Sequence, residues 1–527
     1  MKLLSFRAIP LASAFLSFSL GCAPGGGGPT NGSGGGGVAS GTGGASGGGD
    51  LGGSTGASGG AGVGTGGGTA TGGGSGATAT GGARGAGTGG MGTAGRAGSG
   101  GGVGTGGAGT AGQAGTGGAP GAGGAGGGMV GDLSRELYDP AMFPRFDFDL
   151  PPASVTALGA VTGPDDPRQD TYVTGTFTYD KSGKNEVVMN VGVRLKGEGS
   201  FKPFNEKPAW KIKFDEFVAK QRFRGLARMT FNNAEDDPAF VAERLAYDVY
   251  RAAGVPAPRC NSAMIYVNGA FYGVYNNIEA EDKHMIARWF ASDAGNLYEK
   301  NGMQDFTPAG AADFELETNE TANDRSDLTA LIAAIGRATT PATFMQDVGS
   351  NLDVNEWIKF TAVEGIVNEW DSYSFTLWYP HNFRIYDDPM TKKFAFIPWG
   401  NDMAMQPAPA RVTNKQFIRM FELTRSQDQP SGRVSSGILF QRCLASAPCK
   451  AAYKDAINQV ITVWEGLGME AAAMRYYNQV KAQVYLDTRK VTETGILTNA
   501  QFESAFQAVL GVVRGRLATV RADVAAN

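Results

Sequence analysis

The sequence predicts an α+β fold in which a strand-rich first part is followed by a helical last part, and three observations carry that expectation. Between residues 146 and 278, short runs alternate polar and apolar residues or concentrate Thr, Tyr and Val, as strands do. Asn268-Gly269 and Asp387-Asp388-Pro389 interrupt such runs with hairpin and turn chemistry. After Asp402, apolar residues recur instead at helical spacing, through residues 451–463, 471–485 and 499–520.

A long leader precedes this foldable part. Residues 1–22 read as a secretory signal: Lys2 and Arg7 give positive charge, residues 8–20 a short apolar run, and Ser19-Leu-Gly-Cys22 its end. The pattern resembles a bacterial lipoprotein signal, in which Cys22 is the lipidation site; Ser19 stands where Leu is usual, and a plain signal peptide with a chance Cys fits the same residues. The expectation is an exported, membrane-anchored lipoprotein of the cell envelope or cell surface. Residues 23–128 are Gly with Ala, Thr and Ser, a composition that buries too little apolar surface to offset its backbone entropy. They read as a disordered tether with a root-mean-square reach of about 55–60 Å. No later segment has the apolar run of about 18 residues that spans a bilayer.

From Met129 onward no second Gly-rich stretch divides the chain. The formal net charge of −4 gives no electrostatic reason to expect nucleic acid or an anionic membrane as a partner. Cys443 and Cys449 are spaced for a local disulfide in an exported protein, which leaves Cys260 free. Thiol-metal chemistry and Ser-His-Asp hydrolysis are both disfavoured, because the chain has only His284 and His381, no metal-type Cys spacing and no G-x-S-x-G motif.

Taken in order, strands are expected at residues 146–150, 172–179 and 186–195, then at 207–214, where Lys207, Lys211 and Lys213 share one face. Such a face meets phosphates or belongs to a solvated edge strand, where Lys guards against aggregation. Asp237-Pro238 reads as the N-cap and first position of a helix with Phe240, Val241, Leu245, Val249 and Ala252 on its apolar side, ended by Gly254 and Pro256. A hairpin turns at Asn268-Gly269, and Asp282 caps a short helix running to Phe290. Further helices are expected at residues 414–422 and 437–446, with Met403, Met405, Met469 and Met474 as core filler.

The hairpin from Asn382 to Trp399 places its two ends side by side, so Asp402 falls near Asn382, and Asp371 enters from the preceding loop. Two carboxylates and an amide suit a hard divalent cation and phosphate oxygens. The order Asp, Asn, hairpin, Asp resembles the catalytic centre of protein kinases. The same residues also serve as a loop cap, a turn and a surface position, and spacing alone leaves both readings open.

The motifs RLKGEGS, KPAWKIKF, FNNAEDDP, ERLAYDVYRAAGVPAPR, YVNGAFYGVYNNIE, GNLYE, NEWDSY, HNFRIYDDP and FAFIPWGND, in this order, resemble the CotH family of spore-coat-protein-H-like kinases. The resemblance implies an atypical, reduced protein-kinase-like fold, with residues 129–410 as its core and 411–527 as a helical C-terminal part of the same domain. It implies phosphate transfer from ATP, with Mg²⁺ or Mn²⁺, to Ser or Thr of secreted or envelope proteins. Asp371 matches the family's catalytic Asp, and Asn382 the metal-binding Asn of its His-Asn motif. Arg194, Gly197 and Ser200 match a stretch near the nucleotide. Lys211 is the candidate for the ATP phosphates, with Lys207 and Lys213 as alternatives, and Glu279 the candidate to orient it or bind metal. The family's Pro-Trp-Asp-x-Asp is Pro398-Trp-Gly-Asn-Asp402 here, so Gly400 lacks a carboxylate and Asp402 carries the metal role. The alternative is a catalytically inactive member used as a surface binding or structural module.

Overall fold

Alternation along β1 (Arg145–Asp149) sends Phe146 and Phe148 to one side, and that side becomes the inside of a closed barrel. The computed structural model describes residues 131–408, 417–426 and 433–527. The expected signal, the tether and Cys22 lie outside these residues.

After β1 come α1 (Pro152–Gly159), β2 (Val173–Asp180), β3 (Glu186–Lys196), β4 (Ala209–Lys213), β5 (Arg228–Asn232), α2 (Ala242–Ala252), β6 (Cys260–Val267) and β7 (Ala270–Ile278). The strands close in the order β1-β2-β3-β4-β5-β7-β6; β1 pairs with β6 in parallel and all other pairs are antiparallel. Aromatic rings fill the interior: Phe148 meets Trp210 edge-on at 5.5 Å, and Phe177 meets Phe214 likewise at 5.2 Å. Closure corrects one expectation, since β4 lies between β3 and β5 and is no solvated edge. The β6–β7 hairpin turns at Asn268 and Gly269, with φ of +49° and +78°, the left-handed pair that a two-residue turn requires.

The Asp237 cap is also corrected in detail. Residues 237–241 form a turn with Phe240 at φ +58°, and α2 starts only at Ala242. Asp237 still accepts from the Glu243 N–H at 3.2 Å, so it satisfies a first-turn donor from outside the helix.

The second part comprises α3 (Lys283–Trp289), β8 (Leu297–Lys300), β9 (Phe314–Leu316), α4 (Ser326–Arg337), α5 (Phe344–Val348), α6 (Val354–Ile366), β10 (Phe383–Asp388) and β11 (Lys393–Pro398). It continues with α7 (Ile438–Ala445), α8 (Ala447–Leu467), α9 (Met469–Leu486), the two-residue strands β12 (Val491–Thr492) and β13 (Gly495–Ile496), and α10 (Asn499–Ala526). A four-stranded sheet, β11-β10-β8-β9, lines its centre. Nearly every residue of α6 is buried, which is why its sequence shows little amphipathic contrast. Cys443 and Cys449 form the expected disulfide between α7 and α8, and Cys260 is a buried free thiol. The helix expected at 414–422 lies partly outside the described residues, and the described residues 417–422 form turns. Among the described residues no helix is long and apolar enough to cross a membrane.

Lys207 precedes β4 and is fully buried, its ammonium 2.5 Å from Asp487 at the end of α9. The Val274 N–H donates to the same Asp487 oxygen at 3.1 Å. Asp487→Ala would strand a buried ammonium, and a loss of about 3–5 kcal/mol is expected in chemical unfolding. A Lys207→Met, Asp487→Leu double variant should recover most of it; equal stability of Asp487→Ala and the parent would contradict the pairing.

Candidate functional site

The β10–β11 hairpin pairs Phe383 with Pro398, and the Trp399 N–H donates to the Asn382 carbonyl at 3.1 Å. The chain ends flanking the hairpin therefore emerge together. Asn382 has φ +56°, and its amide nitrogen donates to both the backbone oxygen and Oδ2 of Asp371, each at 2.8 Å. That arrangement leaves the Asn382 Oδ1 available to a cation. His381 Nε2 lies 2.7 Å from Asp371 Oδ1 while its Nδ1 lies 2.6 Å from the Tyr379 carbonyl. An acceptor beside each nitrogen favours the doubly protonated ring. Burial opposes that charge, but Asp371 outweighs it and raises the His381 pKa.

Asp402 sits in the turn after the hairpin and feels Asp371 directly. Its pKa is pushed up to about 6, first by burial and then by the Asp371 charge. A third strand of chain supplies Glu235, Asp236 and Asp237. The Gln406 amide donates to the backbone oxygens of Asp236 and Asp402 at 2.6 and 2.7 Å, stitching this loop to the hairpin exit. Asp236 is pushed up to about 9 by burial and then by Asp402 and Glu235. The fully buried Glu243, on α2, is raised by burial and then by Asp402.

The barrel supplies the opposite charge. Lys196, at the end of β3, donates to Asn232 Oδ1 at 2.6 Å, and Asn232 in turn donates to Glu243 at 3.1 Å. Burial first and Lys211 second lower Lys196 to about 8. The Trp399 ring lies between two cations, Lys196 at 5.4 Å and Arg384 at 5.0 Å. Arg384 reaches Glu299 at 2.8 Å and Glu281 at 3.5 Å. Burial raises Glu281 to about 8 against the pull of Arg384, and one of its buried oxygens has no hydrogen-bond partner.

The structure thus brings together Asp371, Asn382 and Asp402, and sets Lys211 on β4 within electrostatic reach of Lys196, Glu281 and Glu299. It places other candidates elsewhere. Glu279 is fully buried, with Arg259 at 2.6 Å and Arg288 at 2.5 Å, and despite burial these cations hold its pKa well below the usual range. It is occupied structurally, and Glu281 and Glu299 face Lys211 in its stead. Lys207 is committed to Asp487, and Lys213 to Glu216 at 2.7 Å. Arg194 reaches Asp170 at 3.1 Å and stacks over Tyr172. Gly197, at φ +113°, and Ser200 lie in the β3–β4 loop, where the Ser200 carbonyl accepts from Asn233 at 3.0 Å. Lys202 of that loop reaches Glu235 at 2.9 Å.

Lys196, Asp236, Glu243 and His381 were missed as site residues. The signal for Lys196 was available: it is two positions from Arg194 on one strand and so shares its outward face. Glu243 gave no such signal, because its helical position and burial only become polar when Asn232 and Asn276 fold against it.

The donor set fits a hard divalent cation: the candidate ligating atoms are all carboxylate or amide oxygens, and burial first, then their mutual repulsion, raises Asp402 and Asp236. Among the described residues no three carboxylate, imidazole or thiol groups form a ready-made metal cage.

A family model described as CotH kinase protein matches residues 193–520. Inner spore coat protein H of Bacillus subtilis is 23% identical over 35% of this chain and 52% of its own length. Invasin CotH3 of Rhizopus delemar is 21% identical over 55% of this chain and 49% of its own. The chain spans about half the length of the curated relatives it matches. A chain of the Shewanella oneidensis complex of HipA, HipB and operator DNA aligns at 10% identity with a TM-score of 0.23, too low to establish a common architecture.

The raised carboxylates set a pH dependence. Asp402, at about 6 when folded, and Asp236, at about 9, bind protons more tightly in the folded than in the unfolded state, whose carboxyls titrate near 4. The metal-free protein is therefore expected to lose stability as pH rises from about 4 towards 9. Thermal unfolding across that range should show the fall, and Asp236→Asn should flatten it and raise stability at pH 8 by about 1–2 kcal/mol. A variant that tracks the parent at every pH would refute the crowding.

Proposed function

The chain belongs to the CotH kinase protein family, and from that premise we propose that it is an atypical, kinase-like enzyme transferring phosphate from ATP to Ser or Thr hydroxyls of secreted or envelope proteins. The observation that carries this reading is the convergence of Asp371, Asn382 and Asp402 opposite the barrel cations Lys196 and Lys211. In this reading Asp371 accepts the proton of the substrate hydroxyl, held in place by Asn382 and His381 on its two carboxylate oxygens. Lys196 and Lys211 hold the phosphates, and the rigid hairpin mouth fixes their distance from Asp371. A Mg²⁺ or Mn²⁺ ion on Asn382 and Asp402 would neutralise charge on the transferring group. The signal-like residues 1–22 and Gly-rich residues 23–128 support display on the cell envelope through a lipid on Cys22.

One observation favours a second reading, nucleotide binding without transfer. Gly400 adopts φ +59°, and a Cβ there would lie 3.0 Å from the Asn382 amide carbon. A side chain at this position would press on the Asn382 amide, which would have to give by a few tenths of an ångström, and Gly400 leaves the site without that carboxylate.

Both readings are tested by thermal stability of the full chain with and without ATP and Mg²⁺, beside a radiolabelled-phosphate transfer assay. Ligand at 100 times its dissociation constant should add about 2.7 kcal/mol. Asp371→Asn is expected to keep that stabilisation and lower transfer by about 100-fold or more, and Lys196→Met to lose the stabilisation. Stabilisation without transfer in the parent selects the second reading. Absence of both would leave the family fold without its chemistry.

A further inference from the structure

The end of the barrel remote from the site carries exposed apolar side chains that the fold does not use. Val187 and Met189 stand 57% and 63% exposed on the outer face of β3, and Phe217 and Val218 stand 49% and 39% exposed on the β4–β5 loop. The Gln221 amide donates to the Met189 carbonyl at 2.9 Å, which seats that loop beside β3 and puts both exposed pairs at this end of the barrel. Single exposed apolar residues are ordinary, but a group of them at one end of a barrel marks an interaction surface. The carbonyl of Leu133, itself 67% exposed, accepts from Arg224 of the same loop. The first described residues therefore pack at this end of the barrel.

Charge singles out the partner. The acidic groups here are all matched: Glu216 by Lys213 at 2.7 Å, Asp215 by Arg222 at 2.5 Å, and Glu136 and Glu186 by Arg224 at 2.8 and 2.6 Å. Lys184 in the β2–β3 turn and Lys220 at the tip of the β4–β5 loop take part in no ion pair among the described residues. An apolar rim with surplus ammonium groups is complementary to an anionic lipid surface, where apolar side chains enter the interface and lysines meet headgroup phosphates.

We infer that this end of the barrel docks on an anionic lipid bilayer, through Val187, Met189, Phe217 and Val218 with Lys184 and Lys220. Met189 and Lys196 lie on one strand seven residues apart, at no more than about 3.3 Å per residue, so the docked face is at most about 23 Å from Lys196. Docking in this orientation turns the site away from the membrane and leaves it open to a soluble substrate. The inference does not depend on catalysis or on lipidation of Cys22.

The test is hydrogen exchange of the full chain carrying Cys22→Ala, with phosphatidylcholine vesicles either pure or mixed with phosphatidylglycerol. Slowed exchange at residues 187–189 and 216–221 with the anionic vesicles only is the expected result. Lys184→Gln and Lys220→Gln should each weaken vesicle binding about fivefold. A Met189→Glu, Phe217→Glu variant, its fold checked by unchanged thermal unfolding, should lose the local protection. Unchanged exchange in vesicle-bound protein would overturn the inference. So would equal protection by pure phosphatidylcholine, or protection that grows with protein concentration and needs no vesicles, which would assign the face to a second copy of this chain.

Discussion

Crowding of like charge governs the centre of this molecule. Asp371, Asp402, Glu235, Asp236 and Glu243 come from three separate stretches of chain, and burial makes each negative charge costly to its neighbours. A fold that gathers such groups must supply compensation, and here the barrel does so with Lys196 and Lys211 while the second sheet adds Arg384. The remaining crowding is relieved by protonation, since burial and neighbouring carboxylates raise Asp402, Asp236 and Glu243.

Holding that arrangement requires backbone that would relax elsewhere. Ala234, Phe240, Asn368, Asn382 and Met405 all take φ between +55° and +60° around the site, and for non-glycine residues this conformation costs of order 1 kcal/mol each. Asn368 and Asn382 are held there by their side-chain hydrogen bonds. Asn368 donates to the Gln406 carbonyl at 2.6 Å and accepts from the Ile418 N–H at 2.8 Å. From below, the fully buried Arg516 of α10 donates to the carbonyls of Gly365 and Ile418 at 2.6 and 2.7 Å. The last helix thus braces the end of α6, from which the Asp371 loop departs, and gives the C-terminal part a role in positioning the site.

Gly400 shows how a local departure from a family motif is absorbed. Its left-handed backbone turns the chain towards Asp402 immediately after Trp399, and the space a side chain would take is filled by the Asn382 amide. The neighbouring Asn401 is buried against α2 by way of Tyr247. One carboxylate, that of Asp402, remains on this side of the site, opposite the pair of lysines.

What the sequence determined by itself is the set of elements with strong local signals. The hairpin at Asn268-Gly269, the pairing of β10 with β11, the barrel strands other than β5, the three long C-terminal helices and the Cys443–Cys449 bridge follow from turn chemistry, alternation, helical spacing and short-range closure; the β10–β11 turn itself falls at residues 389–392, because Asp387 and Asp388 still pair with Phe394 and Lys393. The neighbourhood of Asn382 and Asp371 was legible for the same reason, because antiparallel pairing is a local rule that brings hairpin ends together. Which lysine and which glutamate feel the charges of that mouth depends on contacts between distant stretches of chain. Lys207 and Lys211 share a strand face in the sequence, yet one is buried against Asp487, 280 residues away, and the other faces the site. Glu279 and Glu281 are equally acidic in one dimension, but Arg259 and Arg288 claim the first. Side-chain roles of this kind depend on which distant charges arrive, and burial multiplies their effect; no periodicity or spacing carries that information.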